Sequence, residues 1–310
     1  MNNPTPETIE ELRDIDRMTD ETERLRVNIL EFRGKGLHDD STIDKDFEKC
    51  EKKHAKIITD KNNLNGESLK NYERGQRAEY VFRHAIQDFG WLADKVNMII
   101  ASQFDDYFRG IDSIAQIPVG AEEFEHIGFA VDFATSVEDI GKKLRQTFDS
   151  IDNGYTPTVK YFNSKHTGKK VDFRVPRIVI GAGSETLERL TDYSKEILNK
   201  SGIAESSKED ISNDVFQFVL FGEIMAQLGT FINRLKSVVE QAKKTHRSDI
   251  EKRAHESLDI HEKTMQTVMK LAQDKKIDMP MIQKHIRGDS FAVKMAPALV
   301  ALSHTSIDFK

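Results

Sequence analysis

Cysteine is nearly absent from this chain of 310 residues, in which Cys50 is the only one. A single cysteine cannot form an internal disulfide or supply the thiolates of a cysteine-based zinc site. The first residues, MNNPTPETIEEL, lack the basic start and apolar run of a signal peptide. No stretch approaches the ~18 to 20 apolar residues of a membrane span. We therefore expect a cytoplasmic protein with no membrane partner.

An excess of positive charge is also lacking, because 46 lysines and arginines stand against 52 acids, for a net charge of -6. Attraction of the whole molecule to nucleic acid is not indicated, so such binding would need a local basic face. The composition, 38% hydrophobic and 32% charged, is typical of a helix-rich protein with much solvated helical surface.

Helices are predicted at both ends of the chain. In residues 1–65 one helix begins near Thr5-Pro6-Glu7 and can extend to the glycines at 34 and 36, and a second covers Asp44 to Asp60. This N-terminal helical arm suits either a solvated scaffold or a homodimer contact. Residues 185–310 are predicted to be a C-terminal helical bundle, around an apolar helix within residues 214–244.

Residues 66–184 alternate between the two types of secondary structure. A helix is predicted from Ser68 to Phe89, with apolar residues on one face at a period of 3.6. The further predicted elements are strands Gly110–Ile117 and His126–Ala134, a helix at 136–153 with Ser136 as its cap, and strands Thr158–Phe162 and Val175–Gly181. The order predicts a core of the α/β (α+β) class, of about 120 residues.

Three acids stand out in this core. Asp112 and Asp132 each interrupt an apolar strand, and burying such a carboxylate costs several kcal/mol, roughly, unless it is paired or binds a metal. Glu79 lies at the border of the apolar face of the preceding helix. Acids meeting at one sheet edge could bind Mg²⁺ or Mn²⁺. The alternative is that the aspartates cap turns or face water and that Glu79 makes a salt bridge.

The segments Gly75-xxx-Glu79, Gly110-Ile111-Asp112 and Ala130-Val131-Asp132-Phe133-Ala134 resemble the PD-(D/E)XK nuclease superfamily. The resemblance covers roughly residues 68 to 182, and its motifs are short and degenerate. It implies a mixed-sheet, restriction-endonuclease-like core between the helical arm and the bundle. It also implies metal-dependent hydrolysis of phosphodiester bonds in DNA or RNA, with DNA favoured as the partner.

One position departs from the family pattern, because Ala134 stands where the family has a lysine that positions or activates the attacking water. In some members this lysine lies on the following helix, which makes Lys143 the first candidate and Lys160 the second. Asp105 and Asp106 could add a ligand or simply cap a turn. If neither lysine reaches the acids, the protein would be an inactive nuclease-like nucleic-acid-binding protein or a helical scaffold.

A basic segment follows the core helix, and it is the local feature most suited to nucleic acid. It contains one acid, Asp172, and His166, together with Lys160, Lys165, Lys169, Lys170, Arg174 and Arg177. Such a stripe can neutralise a few phosphates in a salt-sensitive manner. The alternative is a solvated lysine-rich hairpin.

Overall fold

The computed structural model describes residues 6–118, 126–134, 137–165, 167–199, 202–305, 307 and 309. The predicted helix caps Thr5 and Ser136, and the basic-segment residue His166, lie outside the described residues. The protein belongs to the mixed α/β class, with a four-stranded sheet, a two-stranded sheet and many helices. This general class agrees with the prediction from the sequence.

The N-terminal region forms α1 (Pro6–Leu25), a short 3-10 turn (Ile29–Phe32) and α2 (Asp40–Asn62). Pro6 opens α1, where its missing N–H is no loss. The first helix ends well before the glycines at 34 and 36, because extended Asn28 accepts the Leu30 N–H and starts the 3-10 turn. Ile15 and Met18 of α1 are buried in the main hydrophobic core. This part of the N-terminal region therefore packs on the rest of the protein.

Next come α3 (Gly66–Gln87), β1 (Asn97–Ile100), α4 (Gln103–Arg109), β2 (Ser113–Pro118) and β3 (His126–Ala134). The apolar face predicted for α3 is buried in the core, as at Val81 and Phe82. The sequence did not predict β1 or α4. Gly110 ends α4 in the left-handed conformation, with φ 62. The strand predicted from Gly110 therefore starts at Ser113, and Asp112 lies just before it.

The chain continues through α5 (Val137–Asp152), β4 (Thr158–Asn163), β5 (Lys170–Arg174) and β6 (Arg177–Gly181). The main sheet has the order β1-β2-β3-β6. Its first three strands are antiparallel, and β6 is parallel to β3. The segment between these parallel strands contains α5 and the separate β4-β5 pair, and parallel strands require such a crossover.

The C-terminal region is helical throughout its described part. Its helices are α6 (Ser184–Ile197), α7 (Glu205–Ser212), α8 (Phe216–Lys244), α9 (Ser248–Asp274), α10 (Met279–Gly288) and α11 (Ser290–Ser303). The side-chain amide of Gln227 on α8 pairs with both the N–H and the carbonyl of Val179 on β6, at 2.9 and 2.7 Å. The Gln227 amide thus provides hydrogen-bond partners for backbone groups of β6, an edge strand that has no further neighbour in the described sheet.

One hydrophobic core extends through all three regions that the sequence suggested. It includes side chains from α1, α3, the sheet, α5 and the C-terminal helices. A core shared in this way couples the three regions in stability. The division at residues 65 and 184 remains a prediction about domain organisation.

One helical stretch, Glu205–Lys244, is long and apolar enough to cross a membrane, but 61% of its most apolar window is buried inside the protein. A buried core helix passes the same test, so the stretch is weak grounds for a membrane span. The cytoplasmic location stays a prediction.

Candidate active site

A cavity of about 660 Å³ opens between α1, α2, α3 and the end of the main sheet. Its lining includes the carboxylates of Glu79, Asp106 and Asp112 together with Lys143. Asp132 is only 1% exposed and does not belong to the lining. The structure therefore brings three of the four predicted catalytic residues to one cavity and buries the fourth beside Lys143.

Strand pairing fixes Asp112 and Asp132 close to each other. The Asp112 N–H donates to the carbonyl of Val131 at 3.0 Å, which extends the ladder between β2 and β3 by one residue. The Asp112 carboxylate in turn accepts the N–H of Phe133 at 2.7 Å. Asp112 thus lies against the segment of β3 that carries Asp132. The two acids are adjacent, as the sequence predicted.

Lys143 reaches this point from α5. The helix buries Ile140 and Leu144 against the core, and Lys143, between them in sequence, remains 20% exposed at the side chain. Its Nζ lies 2.6 Å from Oδ1 of Asp132 and also donates to the carbonyl of Phe133. Of the two lysines proposed to replace the one missing at Ala134, Lys143 is therefore the one that contacts a predicted acid.

Lys160, the second candidate, contacts a different acid. Its ammonium lies 2.5 Å from Asp46 of α2, and the same carboxylate accepts the Tyr161 hydroxyl at 3.0 Å. This arrangement ties β4 to the N-terminal region. It gives Lys160 no contact with Glu79 or Asp112.

The cavity acids are electrostatically unfavourable to one another. Burial and the nearby Asp106 carboxylate raise the pKa of Glu79 to about 7. Glu79 makes no hydrogen bond or ion pair with any residue that the structure describes. Burial, then the charges of Asp132 and Glu79, hold the pKa of Asp112 well above its ordinary value. Such clustered, under-satisfied acids are a common mark of functional sites.

Lys143 has the opposite electrostatic environment. Burial by itself would lower its pKa, but the carboxylates of Asp132 and Asp112 outweigh burial and raise the pKa above the ordinary lysine value. The side chain is therefore a cation at neutral pH. It can donate hydrogen bonds or stabilise negative charge, and it is not poised to act as a base.

Two arginines complete the charge balance, and the sequence had not placed either in this site. The guanidinium of Arg177, from β6, pairs with Asp132. Arg26, in the turn after α1, lies 2.9 Å from Asp106. Both come from elements distant in sequence, so only knowledge of the β3–β6 pairing and of the position of α1 could have predicted them.

No three of the His, Cys, Asp and Glu side chains among the described residues are disposed to hold a metal ion. Asp132 is engaged by Lys143 and Arg177, and one oxygen of Asp112 by the Phe133 amide. The donor chemistry suits Mg²⁺ or Mn²⁺, since carboxylates are the oxygen ligands that these cations prefer. A ready-made three-ligand arrangement is not present in the described part of the chain.

Asp105 and Asp106 lie in the first turn of α4 but have different environments. Asp105 is 0% exposed and accepts hydrogen bonds from Ser102 and from the backbone N–H groups of Lys160 and Tyr161. Asp106 faces the cavity. Asp105 is therefore structural, and Asp106 is the member of this pair that can take part in a site.

Most basic side chains of the basic segment form ion pairs or hydrogen bonds with other residues of the protein. Contacts with other residues include Lys160 with Asp46, Lys165 with the carbonyl of Met98, Lys170 with Glu31, Arg174 with Glu256 and Arg177 with Asp132. Lys169 also makes an intramolecular contact. A role of these residues in binding nucleic acid stays a prediction, and it would require several of them to exchange partners.

Comparison with protein-family models, with curated proteins and with solved structures found no match. The geometry of the cavity and the residues that form it are therefore the grounds for assigning a function.

Proposed function

We propose that the protein is a divergent metal-dependent nuclease of the PD-(D/E)XK type, hydrolysing phosphodiester bonds of DNA or RNA. The observation that carries the proposal is the 2.6 Å contact between Lys143 and Asp132, beside a cavity lined by Glu79 and Asp112. A lysine on the helix after the third strand replaces the one missing at Ala134. In the main sheet, α3 precedes β1, β2 and β3, with α4 between β1 and β2, and α5 and the separate β4-β5 pair precede β6. This order supports the same fold assignment.

Glu79 and Asp112, which are open to the cavity, are the proposed first ligands of Mg²⁺ or Mn²⁺. Such an ion activates water and neutralises charge that develops on a phosphodiester. Glu79 has no partner among the described residues, so it can accept a cation without losing a contact. Asp132 becomes a ligand only if Lys143 moves away, and the ammonium is then free to contact the substrate.

The cationic state of Lys143 gives it a defined role in this proposal. An ammonium beside the reacting phosphate would stabilise the negative charge that grows in the transition state. Before substrate binds, Oδ1 of Asp132 holds this ammonium, while Arg177 pairs with Oδ2 of the same carboxylate. In this scheme Lys143 positions water and stabilises charge, and proton removal falls to another group.

A second candidate function is an inactive nuclease-like protein that binds nucleic acid or serves as a scaffold. The observation that favours it is the engagement of Asp132 by two cations, with no three-ligand group among the described residues. In this case the ion pairs would be permanent, and the cavity would bind no metal.

A cleavage assay with matched variants distinguishes the two functions. Labelled DNA and RNA, single-stranded and duplex, are incubated with Mn²⁺ or with a chelator. We expect Lys143→Met and Glu79→Gln to lower the rate by about 100-fold or more, as expected for groups that stabilise charge or hold a metal.

The control is Lys142→Met, because Lys142 neighbours Lys143 on the same helix but is exposed. This variant should cleave like the wild type. Absence of Mn²⁺-dependent cleavage by the wild type, or equal cleavage by all variants purified in the same way, would reject the nuclease proposal and leave the second candidate.

A further inference from the structure

A second cleft, of about 600 Å³, adjoins the cavity of the candidate active site. Asp106 and Tyr107 of α4 line both of them. Arg177, which pairs with Asp132, also lines the second cleft. A ligand could therefore occupy both spaces by passing α4, and the volume is within the range of about 300–1,000 Å³ that is usual for ligand sites.

Two exposed aromatic side chains distinguish this cleft from the rest of the described surface. Phe108 is 46% exposed and Tyr155 is 48% exposed, and both line the cleft. Among the described side chains they are the aromatic members of the group of exposed large apolar residues. Aromatic rings gain much from being covered, so two of them at one concave site indicate a ligand with flat faces.

Three arginines lie at the cleft, and each also lies close to an acid of the protein: Arg177 pairs with Asp132, Arg109 lies 3.6 Å from Asp105, and Arg253 lies 3.1 Å from Asp249. Arg109 and Arg177 line it against one acid, Asp106. Arg253 of α9 stacks on the Tyr155 ring, with its guanidinium carbon 4.5 Å from the ring centroid. The Nε of Arg177 is buried with no hydrogen-bond partner among the described residues.

Gly110 lines the cleft next to the Arg177–Asp132 ion pair, at a position where a side chain would not fit. Its φ of +62 is in the left-handed region, and a Cβ there would lie 2.6 Å from the Arg177 guanidinium and 3.6 Å from Asp132. Any side chain at this position would push against the Arg177–Asp132 pair. The absence of a side chain at Gly110 therefore leaves room for this ion pair of the candidate active site beside the cleft.

We infer that this cleft binds an unpaired nucleobase, stacked on Phe108 and Tyr155, of a strand whose backbone passes α4 into the cavity. The inference rests on the proposed function and gives it a substrate class. Bases in a duplex are stacked on each other, so aromatic side chains reach them only in single strands or when a base is extruded. The substrate is thus a nucleic acid with a single-stranded or extrahelical nucleotide at the site.

Binding without cleavage tests the inference separately from the catalytic proposal. Fluorescence anisotropy is measured in a chelator, with a labelled oligothymidylate and a matched blunt duplex. The wild type should bind the single strand more tightly than the duplex. Phe108→Ala and Tyr155→Ala should each weaken single-strand binding about tenfold, the usual effect of losing one stacked base.

The matched control is Met269→Ala, because Met269 is also 46% exposed and does not line the cleft. It should bind like the wild type, and Phe108→Tyr and Tyr155→Phe should retain binding because a ring remains. Photocrosslinking of an iodouracil-containing strand should map to Phe108 or Tyr155.

Equal binding of duplex and single strand, no binding of either, or alanine variants that bind like the wild type would each overturn the inference. The last of these results is also what a protein partner seated on the two rings would give. Single-strand binding in the chelator combined with no cleavage in Mn²⁺ would reject the catalytic proposal and keep this one.

Discussion

Acids lie on either side of α4, with Asp105 alone on one side and Glu79, Asp112 and Asp106 on the other. Burial raises the pKa of Asp105 as well, but hydrogen bonds to its carboxylate oppose that shift, whereas neighbouring acids add to it for Glu79 and Asp112. The Asp105 carboxylate accepts hydrogen bonds from the Ser102 hydroxyl and from two backbone N–H groups of β4. Across the helix, Glu79 and Asp112 share a cavity with Asp106, and burial and mutual repulsion raise their pKa values. An acid whose oxygens accept several hydrogen bonds links the elements that donate them. A cluster of acids that repel one another would instead be stabilised by binding a cation or a polar ligand.

The largest expected effect is on stability, and it comes from the satisfied acid. Asp105→Asn should lower the free energy of unfolding by about 3 kcal/mol, because the amide NH₂ would face a backbone N–H donor of β4 and leave it without an acceptor. Urea denaturation at pH 7 measures it. A change below about 0.5 kcal/mol, the usual range for a surface substitution, would show that Asp105 does not hold β4 to α4.

The same replacement of a carboxylate by an amide should raise the free energy of unfolding when it is made in the cavity. Asp112→Asn and Glu79→Gln remove a buried charge but keep the size and one oxygen, which in Asp112 can still accept the Phe133 N–H. We expect a gain in the free energy of unfolding of about 1–3 kcal/mol at pH 8, together with loss of cleavage. Loss of stability in both variants would mean that these acids are structural.

The pH dependence of that gain follows from the pKa of Glu79, which is about 7 in the folded protein against 4.5 for an unperturbed glutamate. The folded state binds this proton more tightly than the unfolded chain. The stability from Glu79 is therefore present below about pH 4.5 and is lost as the pH rises through 7. Unfolding curves of wild type and Glu79→Gln should converge at acidic pH.

A buried acid outside the lining of the cavity provides a comparison within the core. Glu223 of α8 is 1% exposed, and burial followed by the charge of Asp289 holds its pKa well above the ordinary value. Glu223→Gln should raise the free energy of unfolding by about 1–2 kcal/mol at pH 8, and the gain should fade toward pH 4.5. Mn²⁺-dependent cleavage should not change, and a loss of cleavage would place Glu223 in the active site.

The smallest expected effect concerns the pH dependence of cleavage. Glu79 must be ionised to hold a cation, so protons and metal compete for it. At limiting Mn²⁺ the rate should fall by up to about tenfold for each pH unit below the pKa of Glu79. A flat rate between about pH 5 and 7 would show that Glu79 does not bind the metal.

Much of the local structure could be predicted from sequence pattern. The apolar faces of α3 and α5 are buried where their helical period placed them, as Val81 and Leu144 show. Strands β3 and β4 also lie where short apolar runs predicted them. Helix α4 and β1 were not predicted, because each is short and has little periodic pattern.

Part of the candidate site was also predictable from sequence pattern. Asp112, Asp132 and Glu79 stood out because a carboxylate in an apolar context needs a physical explanation. The partners of these acids were not predictable, and Arg177 was assigned to a nucleic-acid stripe. Its contact with Asp132 depends on the pairing of β6 with β3, which brings together residues 45 apart in the chain.

The sequence by itself determined most of the longer helices, several strands and which acids fall beside apolar residues, since these properties depend on neighbours along the chain. Only the tertiary structure decided that Lys143 rather than Lys160 contacts Asp132, that Asp105 is satisfied while Asp112 is not, and that Phe108 and Tyr155 share a cleft. The physical reason is that charge compensation and cavity shape depend on distances across the fold, and these are set by strand register and helix packing.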